Sequence, residues 1–299
     1  MAGSSTGGSL ISDTKLKQLY ATMLHCRLLS EHARSLRGRR RDLYSASLGQ
    51  EAIVTGCAVD LRSYDSLILA AHQPIAALAK GAKLKDLISR LYAGEDDANI
   101  PQKHIFHPAP NLTEQLQMAN DIALDVKQKQ KVNVVVAYIA MPTASLDEER
   151  GMLKAAVSRR LPIMFVVENN PSAPPHANNG RLRPALEAPI DGLTSMVVDA
   201  NDVVAVYRVA YESLDRLRQD GGPVLIEGRT YRLDGRPSPR AERDPLTHME
   251  RYLSTKKLFS DHWKNQLIQQ FSRDLDDAIQ ALDLETTRYL RASHTPAND

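Results

Sequence analysis

The apolar residues of this chain follow two spacings that alternate along it, and the segment Val132–Asn170 shows both. It holds one continuous apolar run, then apolar residues at helical spacing, then a second apolar run. A continuous apolar run is typical of a strand in a parallel sheet that is covered on both faces. The pattern predicts strands at Val132–Met141 and Ile163–Val167, joined by a helix at Leu146–Arg159. We expect the two strands to be neighbours at the centre of the sheet, connected by a right-handed crossover.

The start of that helix carries its own signal. Pro142 and Thr143 interrupt the first strand, and Ser145 is followed three residues later by Glu148. A serine and a glutamate at that spacing form a capping box, in which each side chain satisfies a backbone N–H group of the first helical turn. The sequence therefore predicts that the helix begins directly after Ser145.

The rest of the chain continues the alternation. Helical spacing predicts helices at Ser12–Ser35, Leu48–Ala58, Ala76–Tyr92, Leu116–Val126 and Asn201–Gln219. Further helices are predicted from Pro245 onward, including Asp261–Ala281. Short apolar runs predict strands at Leu67–Ala71, Met196–Val198 and Val224–Glu227, and a polar, proline-bearing loop at Asp96–Leu112. This order is typical of an α/β fold with a mostly parallel central sheet flanked by helices. We expect a single domain over residues 12–285, between a flexible tail at 1–11 and a C-terminal tail at 286–299.

Composition narrows the class of protein. The chain has 299 residues, of which 42% are hydrophobic and 25% charged, as in ordinary globular proteins. A formal net charge of +2 argues against a dedicated nucleic-acid binder. No apolar run is long enough to span a membrane. The two cysteines, Cys26 and Cys57, form no close motif, which fits a reduced, cytoplasmic compartment.

The central strand–helix–strand unit suggests where a ligand would bind. In such units the site lies at the carboxyl end of the strand, where the chain turns into the helix. That corner is Ala140-Met141-Pro142, which offers no glycine for close approach to a phosphate and no carboxylate for a metal ion. The scaffold is that of a cofactor site, while the usual cofactor chemistry is missing from it.

Other groups of polar residues are interpreted as structural. His104 and His107 lie three residues apart, as some metal ligands do, but they sit in a proline-flanked loop without a nearby cysteine or carboxylate. Cys57 lies among small residues with no histidine or acid beside it, which indicates packing and not nucleophilic catalysis. The acids at 147–149 are placed to stabilise a helix dipole. The basic run Arg37–Arg41 could contact phosphates, but it is more typical of a solvated loop or a charged contact with a partner.

Seven segments in a characteristic order resemble one known family. They are LYATMLHCRLLSEHA, SLGQEAIVTGCAVDL, LAKGAKLKDLISRLYAG, LPIMFVVENN, DANDVVAVY, GPVLIEGRTYR and DPLTHMERYL. The chain from Leu16 to Ala281 resembles the alpha subunit of the thiamine-diphosphate-dependent decarboxylase component of 2-oxo acid dehydrogenase complexes (pyruvate, branched-chain and acetoin types). The resemblance implies the thiamine-diphosphate-binding α/β fold. It also implies assembly with beta subunits, with the cofactor held at alpha–beta interfaces.

The metal-binding motif of that family is altered in this chain. Its Gly-Asp-Gly motif falls on Ala140-Met141-Pro142, so Met141 stands where the family has an aspartate ligand to Mg²⁺. A thioether is a soft ligand, whereas Mg²⁺ prefers hard oxygen. Asn170 matches the family's asparagine ligand, and Ser172 falls where a backbone carbonyl is the third ligand.

The diphosphate contacts are altered as well. The family's Tyr-Arg-Asp-His-Gly-His falls on the segment that begins Ala71-His72, so its guanidinium and both its imidazoles are absent. Its later His-Gly-His-Ser falls on a loop in which Asp234 and Arg236 take the histidine positions. The glycine-rich segment expected before the central helix is not found between Glu95 and Leu116.

Three hypotheses about function follow. The first, which we favour, is a non-catalytic alpha-like subunit, a pseudoenzyme with no catalytic residue, metal or cofactor. It would form a homodimer alone and a heterotetramer with a beta-like dehydrogenase subunit. The second is an active enzyme that binds thiamine diphosphate and Mg²⁺ through a rewired site, using His72, Arg236 and the Arg37–Arg41 run. The third is a binding protein for a different ligand in the old cofactor cleft.

Overall fold

The computed structural model describes residues 11–35, 47–70, 75–93, 103–140, 146–169, 184–229 and 244–293. The strands are β1 Ser66–Ile68, β2 Ile105–Phe106, β3 Val135–Ala140, β4 Ile163–Asn169, β5 Thr194–Asp199 and β6 Val224–Arg229. The helices are α1 Asp13–Ser35, α2 Glu51–Ala58, α3 Ile75–Ala79, α4 Leu84–Ala93, α5 Leu112–Gln128, α6 Arg150–Ser158, α7 Val203–Arg218, α8 Pro245–Thr255 and α9 Asp261–Ser293. None of the helices in the described part of the chain is long and apolar enough to cross a membrane.

The six strands form one parallel sheet in the order β2-β1-β3-β4-β6-β5. Strands β3 and β4 are neighbours at its centre, where Val135 pairs with Ile163 and Ala140 pairs with Glu168. The predicted α/β class, the parallel sheet and the central position of these two strands are confirmed. The right-handed crossover stays a prediction.

Alternating side chains of the central strands serve two different cores, which explains why their apolar runs are continuous. Val136 and Tyr138 of β3 pack toward α1, α2 and α7 on one face. Ala137 and Ile139 pack toward α5 and α6 on the other face. Since both faces are covered by helices, every position of these strands is driven toward apolar residues.

A third core holds the first and last helices together. Leu16, Tyr20 and Met23 of α1 pack against residues of α7 and α8, and the Trp263 ring of α9 closes the cluster. The Tyr20 ring lies 5.3 Å from that of Trp263. The C-terminal helices therefore belong to the folded body. Helix α9 continues to Ser293, past the domain end expected at residue 285.

Two predicted boundaries in the central unit are wrong. Strand β3 begins at Val135 and not at Val132, whose side chain is 57% exposed. Helix α6 begins at Arg150, with Glu149 as its N-cap residue and no side-chain capping bond. Glu148 thus precedes the helix, and the predicted capping box does not start it; its partner Ser145 lies outside the described residues.

The predicted helix Ala76–Tyr92 is also wrong, because it is two helices, α3 and α4. Gly81, between them, has φ +91°, a left-handed conformation that interrupts a helix and that glycine adopts without strain. The loop predicted at Asp96–Leu112 contains strand β2, and α5 begins at Leu112. The Asn111 side chain caps α5 by accepting the N–H of Glu114.

Candidate functional site

All six strands are parallel, so their carboxyl ends share one edge of the sheet. From β1 the chain moves to β2 on one side, and it then returns to β3 on the other side of β1. Open parallel sheets bind ligands outside the carboxyl ends of the strands at such a switch point. The expected site therefore lies beyond Ile68 of β1 and Ala140 of β3, and extends along the edge to β4.

The buried amide of Gln115, from α5, joins the two strands at the switch point. Its Nε2 group donates to the Leu69 carbonyl at 2.9 Å and to the Tyr138 carbonyl at 3.1 Å. Its Oε1 atom accepts the backbone N–H of Ala109 at 2.7 Å. Both amide donors and the amide acceptor are thus used, and the spacing of β1 and β3 beyond their last paired residues is fixed. The sequence reading missed this residue, because a polar residue in the first turns of an amphipathic helix does not indicate what it contacts.

The predicted site residues are only partly placed. Ala140 is the last residue of β3, paired with Glu168. The other positions lie outside the described residues; they are Ala71, His72, Met141, Pro142, Asn170, Ser172 and Arg236, together with the Arg37–Arg41 run. Along the chain, Met141 directly follows β3 and Asn170 directly follows β4. Because β3 and β4 are adjacent, the structure brings the carboxyl ends of these two strands side by side.

A buried carboxylate holds the next part of the edge. Glu227 of β6, 3% exposed, accepts Asn169 Nδ2 at 2.9 Å through Oε1 and the backbone N–H of Ala185 at 2.8 Å through Oε2. The Arg229 guanidinium also lies 3.6 Å from Oε1. Both oxygens are therefore engaged within the protein. In the sequence, Glu227 was interpreted only as the last residue of the predicted strand Val224–Glu227. A carboxylate at the carboxyl end of an apolar run was the feature that could have indicated its place at the edge of the sheet.

The opposite face of the same edge carries Glu168, which is 2% exposed. Burial raises the pKa of the nearby Cys57 thiol, and the Glu168 carboxylate raises it further. Cys57 is a fully buried free thiol, so the interpretation as a packing residue is confirmed. The Tyr138 hydroxyl, also buried, donates to the Val54 carbonyl of α2 at 2.9 Å.

The remaining described candidates lie beside β2 and just before α6. His104 has φ +50° just before β2, and the His107 ring contacts the Pro108 carbonyl through Nδ1 at 2.7 Å. Asp147 precedes α6, where it accepts Arg150 Nη1 at 3.1 Å. In the described segments, no group of three or more His, Cys, Asp or Glu side chains could hold a metal ion.

The described part of this edge does not fit a magnesium diphosphate. Such a ligand needs free oxygen ligands for the metal and several donors for the phosphates. Both oxygens of Glu227 are already hydrogen-bonded, and the Glu168 carboxylate faces the α2 side, beside Cys57. Ala140 adds no polar side chain. No catalytic step through that group is derived from these residues.

Comparison with known proteins identifies the family. Residues 20–288 match the family described as dehydrogenase E1 component. The chain is 25% identical over 328 residues to the chloroplastic pyruvate dehydrogenase E1 component subunit alpha-3 of Oryza sativa, covering 96% of this chain and 75% of that protein. It is 26% identical over 301 residues to the pyruvate dehydrogenase E1 component subunit alpha of Porphyra purpurea, covering 89% of this chain and 88% of that protein.

A solved structure, that of a putative thiamin diphosphate-dependent enzyme from Mycobacterium smegmatis, is similar at a TM-score of 0.43 and 16% identity. The match covers 63% of this chain and 32% of that one, and it adds nothing to the family match. The resemblance seen in the sequence motifs is confirmed, and with it the α/β fold class. The chain belongs to the dehydrogenase E1 component family.

Proposed function

We propose that this protein is an alpha-like subunit of a 2-oxo acid dehydrogenase assembly that does not bind magnesium thiamine diphosphate and serves a structural or regulatory role. The observation that carries the proposal is Met141-Pro142 directly after the central strand β3. By the resemblance, this is where the family has the aspartate that binds the metal ion.

The change at this corner opposes the binding of magnesium thiamine diphosphate in two ways. Met141 replaces an anionic oxygen ligand by a thioether, which Mg²⁺ disfavours. Pro142 has no backbone N–H, so a donor to a phosphate is lost at the same place. Asparagine is kept at Asn170, but one amide oxygen does not replace a carboxylate.

The losses on the diphosphate side act in the same direction. Ala71 and His72 stand where the family has Tyr-Arg, and Asp234 places a carboxylate where the family has a histidine. Each charge-assisted hydrogen bond contributes on the order of 1.5–3 kcal/mol. Three or four such losses would weaken a micromolar site by several powers of ten, since each ~1.4 kcal/mol is tenfold. They are not strictly additive within one network.

The packing surfaces support the retained subunit role. The family match extends over nearly the whole chain, and the helices around the sheet are kept. Both relatives described above are named as alpha subunits. We therefore expect a homodimer alone and a heterotetramer with a beta-like subunit, in the cytoplasm.

The alternative is an active enzyme with a rewired site. His72, Arg236 and the Arg37–Arg41 run supply cationic side chains that could replace the missing diphosphate contacts. A different ligand in the same cleft is the third hypothesis.

Isothermal titration with thiamine diphosphate and Mg²⁺ separates these functions. The proposal predicts no saturable heat at micromolar concentrations, with the protein alone or mixed with a beta-like subunit. Saturable micromolar binding would establish the rewired enzyme instead. Co-purification of a beta-like subunit is the second readout, because a binding protein for an unrelated ligand would not need one.

A further inference from the structure

The segment before β5 is fastened to the turn before α6. We name Ala185–Ile190 the strap and Leu146–Arg150 the turn. The Leu146 N–H donates to the Ala185 carbonyl at 2.8 Å. Leu146, Ala185 and Ile190 are all buried against the second face of the sheet. The strap and the turn therefore share one part of the core, although Leu146 and Ala185 lie 39 positions apart along the chain.

Arg150, the first residue of α6, closes the other end of this contact. Its Nη1 donates to the Ala188 carbonyl at 2.6 Å, and its Nη2 donates to the Pro189 carbonyl at 2.8 Å. Nη1 also contacts Asp147 Oδ1 at 3.1 Å, while Asp147 Oδ2 accepts the Glu187 N–H at 3.2 Å. The Arg150 guanidinium therefore donates to two consecutive carbonyls of the strap. It also donates to the Asp147 carboxylate, which in turn accepts the N–H of a third strap residue, Glu187.

The strap is tied to the sheet at a different point. The Ala185 N–H donates to Glu227 Oε2 at 2.8 Å in the interior. Ala185 therefore lies between β6, through its N–H, and the turn, through its carbonyl. Hydrogen bonds in such a connected, partly buried network support one another.

We propose that the turn and the strap form one conformational unit that opens and closes as a whole. Arg150 holds the strap against the turn, and Glu227 attaches the strap to β6. The turn ends the connection that leaves β3, and the strap ends the connection that leaves β4. The unit therefore couples the turn that leads into α6 with the strap that leads toward β5. Any contact that releases one of them releases the other. Arg150 is a positioning residue in this device, and the inference holds whether or not the site binds a cofactor.

Hydrogen exchange of two amides tests this coupling. Arg150 contacts neither the Leu146 N–H nor the Ala185 N–H. If the unit is cooperative, Arg150→Ala should accelerate exchange at both amides by about tenfold or more, which corresponds to ~1.4 kcal/mol of opening free energy. Arg150→Lys keeps one charged donor group and should give a smaller acceleration. Glu227→Ala removes the acceptor of the Ala185 N–H, at the other end of the network. It should therefore also accelerate exchange at the Leu146 N–H.

Two controls distinguish the opening of this unit from a general loss of stability. Arg159→Ala changes an exposed arginine just beyond α6 and should leave both amides unchanged. The amides of β3 should keep their protection from exchange in every variant. If Arg150→Ala loses this protection, the unmodified protein is compared with Arg150→Lys instead. Acceleration confined to residues 187–190, or no acceleration at either amide, would overturn the proposal and make Arg150 a local clamp.

Discussion

Arg27 of α1 and Glu51 of α2 form a salt bridge in the interior, with Arg27 Nε 2.5 Å from Glu51 Oε1. The Arg27 side chain is 12% exposed and that of Glu51 is fully buried. Arg27 Nη2 also lies 2.7 Å from Asp244 Oδ1, at the start of α8. Burial opposes the charge of Arg27, but Glu51 and Asp244 outweigh it and raise its pKa. The cluster ties three helices together around one guanidinium.

Replacing Glu51 by alanine should destabilise the protein strongly. The change leaves a buried guanidinium with one carboxylate and removes the acceptor of the Gly49 N–H. Breaking a buried pair in this way costs about 3–5 kcal/mol of unfolding free energy. Urea denaturation measures the loss. Lys129→Ala, in the exposed Lys129–Asp125 pair, is the matched control and should cost at most ~0.5 kcal/mol. A Glu51→Ala loss as small as that of the control would contradict the assigned role.

Gln115→Met should weaken the edge of the sheet at the switch point. Methionine has a similar shape but cannot donate to the Leu69 and Tyr138 carbonyls or accept from Ala109. Leaving buried polar groups unpaired costs about 1–3 kcal/mol, which equilibrium unfolding would detect. Gln117→Met, at an exposed position of the same helix, should change stability by less than ~0.5 kcal/mol. Equal effects of the two substitutions would show that Gln115 is not the tie between the strands.

Stability should fall in mild acid because of His25. Its ring stacks on Phe271 of α9 at 4.9 Å, and its Nε2 atom is buried without a hydrogen-bond partner among the residues that the structure describes. Burial lowers the pKa of His25 below 6.5, and Asp274 opposes part of the shift. The unfolded chain therefore takes up the proton first, and the folded state loses relative stability as the pH falls through ~6.5.

The variant His25→Phe tests this linkage. It removes the titrating group and should flatten the decline in unfolding free energy between roughly pH 7.5 and 5.5, the range around the ordinary histidine pKa. Some decline should remain, because burial also lowers the pKa of His32 on the same helix. His262→Phe, at an exposed position of α9, should leave the slope unchanged. A His25→Phe slope equal to that of the unmodified protein would refute the linkage.

Restoring one carboxylate should not restore the cofactor. Met141→Asp returns an oxygen ligand to the end of β3, but Ala71 and His72 still lack the guanidinium on the diphosphate side. We expect no saturable titration with thiamine diphosphate and Mg²⁺ at micromolar concentrations. Met141→Leu, which adds no ligand, is the control. Micromolar binding by the aspartate variant alone would mean that the diphosphate contacts are present in another form.

Elements whose signals are local or repeated could be predicted from the amino-acid sequence. Continuous apolar runs identified β3 and β4 as buried, adjacent strands, because strands covered on both faces exclude polar residues. The helix predicted at Asn201–Gln219 corresponds to α7, whose N-cap residue Asp202 accepts the N–H groups of Val204 and Ala205. The ordered motifs identified the family, since seven segments in one order are specific even where the identity is near 25%.

The contacts between distant segments could not be predicted in this way, because they depend on how the whole chain packs. The capping box predicted at Ser145 is a local pattern, yet Leu146 donates to Ala185 and the turn that follows it uses bonds from Glu149 to Leu146 and from Met152 to Glu149. Gln115 and Glu227 look like ordinary polar residues in sequence, and their roles come from carbonyls and amides far away along the chain. The type of a side chain determines which groups it can bond to. The packing of the whole sheet determines which of those groups lies within reach, and the periodicity of the sequence carries no information about that packing.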